Sequence, residues 1–96
     1  MRINKFRFGT FVDGSSDLHQ RLQARGIDTV IITGCATNIC CESTARDAMM
    51  LNYKVLFVSD ATATHTDFEH NITLNNMMLT FADVVSTADV ISLLKA

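Results

Sequence analysis

The run Thr29–Thr33 contains five β-branched residues in succession, and no other part of the sequence constrains the fold as strongly. Branched side chains fit a pleated strand and lower helix propensity, so the run predicts a buried strand over about residues 28–33. Small and polar residues follow at once, and a helix is predicted over about 38–52, with Thr37 or Asn38 as its N-cap. The chain must therefore turn sharply from a strand into a helix.

The rest of the sequence repeats this alternation of helix and strand. The other predicted elements are a helix from about Ser15 to Gly26, strands over 53–59 and 83–86, a loop over 60–64, and helices over 66–81 and 88–95. Thr66 and Glu69 have the spacing of a capping box at the start of one of these helices. Such alternation predicts an α/β fold with a parallel sheet and right-handed crossovers.

A sheet of three strands would be thin, and natural proteins usually pair or cover exposed sheet edges. Either the chain pairs with another chain, or part of the fold lies outside these residues. We therefore expect a homo-oligomer, or a single partial domain over residues 1–96.

The composition excludes several classes of protein. The 96 residues suffice for one small domain, and a net charge of −2 offers no basic surface to nucleic acid. No apolar run approaches the roughly 18 residues that cross a bilayer, and the N-terminus lacks the apolar segment of a signal peptide. We therefore expect a cytoplasmic chain without a nucleic-acid or membrane partner.

Three cysteines, Cys35, Cys40 and Cys41, fall within seven positions. An odd and crowded set is not a disulfide framework, so we expect reduced thiols. Cys40 lies in the predicted first turn of its helix, where unpaired N–H groups and the helix dipole favour a thiolate. Cys35 and Cys41 are expected to pack as small hydrophobes, Cys41 in one stripe with Ala45 and Ala48.

Two other interpretations of these residues stay open. Cys40 could be a core residue without chemistry, because free cysteines are among the most buried residue types. A zinc site is the second alternative, and its ligands would be Cys35, Cys40, His65 and His70. Their spacings do not match the compact zinc modules, so we expect no metal and no cofactor. The histidines, including His19, are expected in loops or at the surface.

The residues from Gly34 to Ala48 read GCATNICCESTARDA. This segment resembles the catalytic-cysteine signature of isochorismatase-like cysteine hydrolases, a group that includes nicotinamidases, N-carbamoylsarcosine amidohydrolases and ureidoacrylate amidohydrolases. Residues 26–30 and 58–61 also match the family pattern. Residues 5–11, KFRFGTF, are similar to the segment in which the family has a lysine followed, four residues on, by Ser-Ala-Phe; here Gly9 and Thr10 replace the Ser-Ala pair.

The resemblance implies roles for particular residues. Cys40 would be the nucleophile and Lys5 the cationic member of a catalytic triad. The Cys35–Ala36 peptide bond would be cis, and the backbone N–H groups of Ala36 and Cys40 would face the developing oxyanion.

The resemblance also implies a fold, a three-layer α/β/α arrangement of the Rossmann type, of which the chain would hold the C-terminal strands and helices. The family's catalytic aspartate lies N-terminal to the segments matched here, and so do the metal-binding residues of nicotinamidases. We expect a chain without this aspartate to be inactive or severely impaired.

The resemblance therefore predicts a cysteine hydrolase that cleaves a C–N bond of a small amide or ureido substrate through a Cys40 thioester. The alternative is a catalytically inactive, truncated homologue that acts as an oligomerisation or interaction module. The exposed sheet edge and four methionines (Met49, Met50, Met77 and Met78) would suit a partner surface, although core packing is the more common role of methionine.

Overall fold

The computed structural model describes all 96 residues and contains a three-stranded parallel sheet with helices packed against it. Helices and strands alternate along the chain as the sequence predicts. In chain order the elements are α1 (Leu18–Ala24), β1 (Thr29–Cys35), a π-helical turn that we call the cysteine turn (Thr37–Cys41), α2 (Glu42–Met50), β2 (Lys54–Ala63), α3 (Asp67–Asn76), a second π-helical turn (Met77–Phe81), β3 (Asp83–Val85) and α4 (Thr87–Lys95).

β2 is the central strand, and it pairs in parallel with β1 on one side and with β3 on the other. The register between β1 and β2 shifts near their carboxyl ends. Ile32 lies opposite Phe57, whereas Gly34, two residues later, lies opposite Thr62. The extra residues of β2 form a bulge, which turns the carboxyl end of the strand toward the end of β1.

The bulge makes β2 longer than the sequence predicts. The Thr62 hydroxyl is buried and donates a hydrogen bond of 2.9 Å to the Val58 carbonyl, so one side chain bridges the bulge. Beyond the bulge the strand continues to Ala63, which pairs with Cys35. The predicted loop over 60–64 is therefore wrong over most of its length, because a bulge has no periodic pattern of side chains that would reveal it.

One face of the sheet packs against α2 to form the main hydrophobic core. Val55 and Phe57 alternate along β2 and share this core with Ala45 and Ala48 of α2. The alanines are fully buried, and their small size lets the helix lie close to the sheet. The other buried members come from α1, β1, the two π-helical turns and the link between α2 and β2. They are Leu22, Ile32, Cys41, Met77 and Tyr53.

The opposite face of the sheet lies against α4. Leu56 and Val58 alternate with the core residues of β2, so they point to this second face, and both are buried. Val90 of α4 is buried as well, and α4 contacts β2. α4 begins at a capping box formed by Ser86 and Asp89. Helices on both faces of a parallel sheet produce the predicted α/β/α layers.

The ends of the other helices differ in how well the sequence predicts them. The Thr66 side chain accepts a hydrogen bond from the Glu69 N–H, which confirms this predicted cap. The predicted N-caps Thr37 and Asn38 are wrong, because both residues lie inside the cysteine turn, and Ala36 precedes it in an extended conformation.

None of the helices combines the length and the apolar character that a candidate membrane span requires.

The N-terminal segment, residues 1–17, contains no helix or strand and is held by specific contacts with the rest of the fold. The Thr10 backbone N–H donates to the Thr44 hydroxyl of α2 at 3.2 Å. The Phe11 ring stacks on Tyr53 with 5.4 Å between the ring centroids. These contacts fix the path of the segment across α2 and the sheet.

Replacing Phe57 by alanine is expected to destabilise the protein by about 3–5 kcal/mol, because the ring is fully buried at the centre of the core. Phe68→Ala is the matched control, since that ring is 73% exposed and its loss should change the free energy of unfolding by less than about 0.5 kcal/mol. Urea titration followed by circular dichroism measures both. Equal losses in the two variants would contradict this description of the core.

Candidate active site

The chain passes from β1 into the cysteine turn through Ala36. The peptide bond between Cys35 and Ala36 is cis. The Ala36 carbonyl accepts hydrogen bonds from the N–H groups of Ile39 and Cys41, at 3.1 and 3.2 Å. One carbonyl thus closes the turn with two donors, and it fixes the backbone on both sides of Cys40.

An open groove of about 450 Å³ lies beside the cysteine turn, and we call it the thiol groove. Cys35, Cys40 and Cys41 all line it, together with Lys5. The other lining residues are mostly apolar and come from the N-terminal segment, α1 and β1. The structure therefore brings Lys5, Cys35 and Cys40, three of the residues predicted for the site, to one cavity, while Ala36, the fourth, is not among its lining residues.

The three thiols have different surroundings. Cys41 is buried, Cys40 is half-buried at the groove, and Cys35 is exposed. The prediction that Cys35 packs as a small hydrophobe is therefore wrong. Its strand, β1, pairs on one side only, and five of its seven residues are exposed. A run of β-branched residues indicates a strand but does not show whether that strand is covered on both faces.

Burial determines the chemistry of Cys41. The side chain is 4% exposed, and its sulfur lies 3.8 Å from the Thr33 carbonyl. Burial, followed by the charges of Cys40 and Cys35, raises the pKa of Cys41 from 9.0 to about 11, and the positive charge of Lys5 opposes this only in part. Cys41 is therefore a protonated packing residue near neutral pH, as the sequence predicts.

Lys5 is exposed at the rim of the thiol groove. Its ammonium group donates to the carbonyl oxygens of Arg7 and Phe8, at 2.9 and 3.2 Å. The Phe6 N–H, one residue further on, bonds to the Ser15 carbonyl at 3.1 Å and closes the N-terminal segment into a loop. This loop holds Lys5 at the wall of the groove that the three cysteines also line.

Two polar residues behind the cysteine turn were missed by the sequence reasoning. The fully buried Thr37 hydroxyl is 2.8 Å from Nδ1 of His70, and Nε2 of the same ring is 3.1 Å from the Ser59 carbonyl. His70 was expected in a loop or at the surface, and it lies instead on α3, half-buried. A usable signal existed, because His70, Thr73 and the buried Met77 share one helical face.

His19 is less exposed to solvent than the sequence predicts. It lies half-buried on α1, and its Nδ1 is 2.8 Å from the Tyr53 hydroxyl. The ring belongs to the aromatic cluster of Phe11 and Tyr53, away from the cysteine turn. His19 therefore supports the N-terminal segment and has no contact with the predicted site.

No carboxylate lines the thiol groove. Asp60 accepts hydrogen bonds of 2.7 Å from the backbone N–H and the hydroxyl of Thr87, and these bonds lower the pKa of Asp60. Asp47 lies beside Gly9 and lines a separate shallow pocket on α2. Neither aspartate is placed to act on the Cys40 thiol.

The residues considered for a zinc site do not come together. Cys35 and Cys40 line the groove, while His65 is exposed between β2 and α3, and both nitrogens of His70 are engaged behind the turn by Thr37 and Ser59. No group of three or more His, Cys, Asp or Glu side chains has an arrangement that could hold a metal ion.

Comparison with known proteins connects this geometry to one family. Residues 1–89 match the model of the isochorismatase domain. The chain is 43% identical over 68 residues to Nicotinamidase 3 of Arabidopsis thaliana, an alignment that covers 71% of the chain and 34% of that protein. It is 41% identical over 90 residues to the ureidoacrylate amidohydrolase RutB of Caulobacter vibrioides, covering 93% of the chain and 39% of the relative.

Solved structures agree with the sequence matches. The structure of an isochorismatase family protein from Burkholderia thailandensis superimposes with a TM-score of 0.91 at 37% identity, over 98% of this chain and 48% of that one. The resemblance inferred from the cysteine motif is thereby confirmed. The chain spans between about a third and half of the length of these three proteins.

The raised pKa of Cys41 predicts a loss of stability in alkaline solution. As the pH rises past 9, the thiol ionises in the unfolded chain but stays protonated in the folded one until about pH 11. The contribution of Cys41 is therefore complete below pH 9 and is lost between pH 9 and about 11. Urea titrations across this range should show a shallower pH dependence for Cys41→Ala than for the wild type.

Cys35→Ala is the control for this experiment, because the exposed thiol should leave most of the pH dependence in place. A Cys41→Ala variant that keeps the full alkaline loss would show that the buried thiol is not its source.

Proposed function

Because the chain belongs to the isochorismatase domain family, we propose that it forms part of a hydrolase domain that cleaves a C–N bond of a small amide or ureido substrate. The proposed reaction begins with attack of the Cys40 thiolate on the substrate carbonyl carbon. The tetrahedral intermediate expels ammonia or an amine, which takes up a proton, and leaves a thioester on Cys40. Water then cleaves the bond between the acyl carbon and sulfur, which restores the thiol and releases a carboxylic acid from an amide substrate or a carbamic acid from a ureido substrate.

The observation that carries this proposal is the position of Cys40. Its side chain is half-buried at a groove of about 450 Å³, on the turn that precedes α2, and Lys5 lines the same groove. Positive charge and the amino end of a helix both stabilise a thiolate relative to a thiol. Cys41, by contrast, is buried and protonated, so Cys40 is the proposed nucleophile of the two thiols in the cysteine turn.

We propose that the backbone N–H groups of Ala36 and Cys40 stabilise the oxyanion of the tetrahedral intermediate. Both residues belong to the corner where β1 enters the cysteine turn, and the Ala36 carbonyl fixes the residues on either side of Cys40. Donors that are held in place before the reaction need no reorganisation when the charge develops, and this is the source of their effect.

The 96-residue chain is proposed to be a slow catalyst on its own. Amide hydrolysis requires a group that takes the proton from the thiol and passes it to the leaving amine. A carboxylate would suit this role, and none lines the thiol groove. An activated ester avoids the requirement, because a phenolate can leave without a proton.

The relatives and the groove support the proposed substrate class. Two relatives are named as a nicotinamidase and a ureidoacrylate amidohydrolase, so a small amide or ureido compound is the proposed substrate. The groove volume suits a small molecule. The three free cysteines support a reducing compartment, and we propose the cytoplasm.

The test uses p-nitrophenyl acetate and iodoacetamide at neutral pH. We expect a burst of about one p-nitrophenolate per chain, an acetyl group on Cys40, and alkylation of Cys40 before Cys35 or Cys41. Cys40→Ala should abolish the burst. Lys5→Met should slow both reactions by about three- to tenfold, because the thiolate loses a nearby positive charge.

Lys54→Met is the matched control, since Lys54 is also exposed but lies at the start of β2, away from the groove. No burst, or equal alkylation of Cys35 and Cys40, would overturn the proposed role of Cys40. Nicotinamide and ureidoacrylate are then tested as substrates for hydrolysis of the C–N bond. A hydrolysis rate that is measurable in the wild type and lost in Cys40→Ala would identify the natural reaction class.

A second candidate function is association with another copy of the chain through β1. This strand pairs on one side only, and Ile31 is 41% exposed next to its free edge. Unpaired backbone groups beside an apolar surface favour the addition of another strand. In this reading the chain is an oligomerisation module, with or without catalysis.

Sedimentation equilibrium tests the second candidate. If copies pair through β1, the wild type should be a dimer and Ile31→Lys should raise the dissociation constant at least tenfold, because a lysine at a paired edge opposes strand addition. Ile91→Lys on α4 is the control, since Ile91 has a similar exposure of 46%. A monomeric wild type would exclude self-association.

A further inference from the structure

Three side-chain contacts hold the cysteine turn from behind, on the side away from the thiol groove. Thr37, at its first position, contacts His70 at 2.8 Å. The Asn38 side-chain carbonyl accepts a hydrogen bond of 2.7 Å from the Thr64 hydroxyl. The first residue after the turn, Glu42, accepts one of 2.8 Å from the Thr73 hydroxyl.

The imidazole of His70 links two elements of the site. Its Nε2 is 3.1 Å from the Ser59 carbonyl, and because a carbonyl can only accept, Nε2 carries a hydrogen and donates it. When the ring carries only this hydrogen, Nδ1 accepts the hydrogen of the Thr37 hydroxyl at 2.8 Å. His70 thus joins the cysteine turn to β2 through one rigid ring.

The position of His70 on α3 also ties that helix to the cysteine turn. His70 and Thr73 are three residues apart on one face of the helix, and they hold Thr37 and Glu42, which are five residues apart. Thr37 is the first residue of the cysteine turn and Glu42 directly follows its last, so α3 contacts both ends of the turn. His70 does not line the thiol groove and cannot touch a substrate there.

Of the three contacts, the one between Thr37 and His70 matters most for the position of the turn. Its side chain is fully buried, and His70 is the one side-chain partner of its hydroxyl. A buried hydroxyl that loses its partner is costly, so the turn would move to hydrate or pair it. Such a movement would displace the backbone N–H of Cys40, three residues further along.

We propose that His70 is a positioning residue, which holds the cysteine turn through Thr37 and thereby sets the place of the Cys40 N–H. This inference rests on the proposed function, because it assigns His70 to the oxyanion site of that reaction. It predicts that loss of His70 slows acylation of Cys40 more than alkylation of Cys40. Acylation of Cys40 uses the oxyanion donors, whereas alkylation by iodoacetamide forms no oxyanion and does not use them.

The experiment compares His70→Phe, which removes both hydrogen bonds, with Thr37→Val, which removes the hydroxyl and keeps the branched shape. Each should slow the burst of p-nitrophenolate at least tenfold while changing the alkylation rate of Cys40 by less than about threefold. Thr37→Ser keeps the hydroxyl and should restore most of the burst rate. The double variant His70→Phe/Thr37→Val should be no slower than either single variant, because both remove one link.

Amide hydrogen exchange provides a readout that needs no reaction. The N–H groups of Ile39 and Cys41, which bond to the Ala36 carbonyl, should exchange at least tenfold faster in His70→Phe and in Thr37→Val. The Leu51 N–H, which bonds to Asp47 at the far end of α2, should not change. His19→Phe is the matched control, since it removes another half-buried imidazole and its 2.8 Å contact with Tyr53 without touching the turn.

The outcomes separate this inference from the proposed function. A wild type without a burst overturns the proposed function, and hydrogen exchange then still decides whether His70 holds the turn. Unchanged exchange at Ile39 and Cys41, or equal slowing of acylation and alkylation, overturns the positioning role of His70 even if Cys40 is the nucleophile.

Discussion

The parallel pairing of β1 with β2 is the interaction on which the rest of the structure depends. Parallel strands end at the same edge of a sheet, and the bulge in β2 brings Ala63 beside Cys35. The cysteine turn starts at that edge, so two of its links to β2 follow from the register of the strands. Asn38 contacts Thr64 directly, and Thr37 reaches the Ser59 carbonyl through His70. The helices then cover the two faces of the sheet around β2, in which the residues from Val55 to Val58 are buried.

Much of this could be predicted from the sequence, because it depends on local patterns. The β-branched run Thr29–Thr33 and the capping box at Thr66 indicate their elements directly. The motif around Cys40 identifies the family, and Ala45 and Ala48 show which face of α2 is buried. The bulge in β2, the exposure of Cys35 and the contact of Thr37 with His70 depend instead on partners distant in the sequence, which a periodic pattern does not reveal.

The candidate site separates two functions between adjacent cysteines. Both thiols reach the thiol groove, but Cys41 is also part of the buried core and remains a thiol to about pH 11, whereas Cys40 is only half-buried. Adjacent residues of a helical turn point in different directions, so neighbouring positions in the sequence differ in how deeply they are buried.

The stacking of Phe11 on Tyr53 couples two properties of the protein. Tyr53 belongs to the main core, and the same ring anchors the segment that carries Lys5 to the groove. The stability of the fold and the position of a charge more than forty residues away in sequence therefore share one side chain. That side chain lies outside the groove, so the composition of the groove wall is linked to a residue that does not line it.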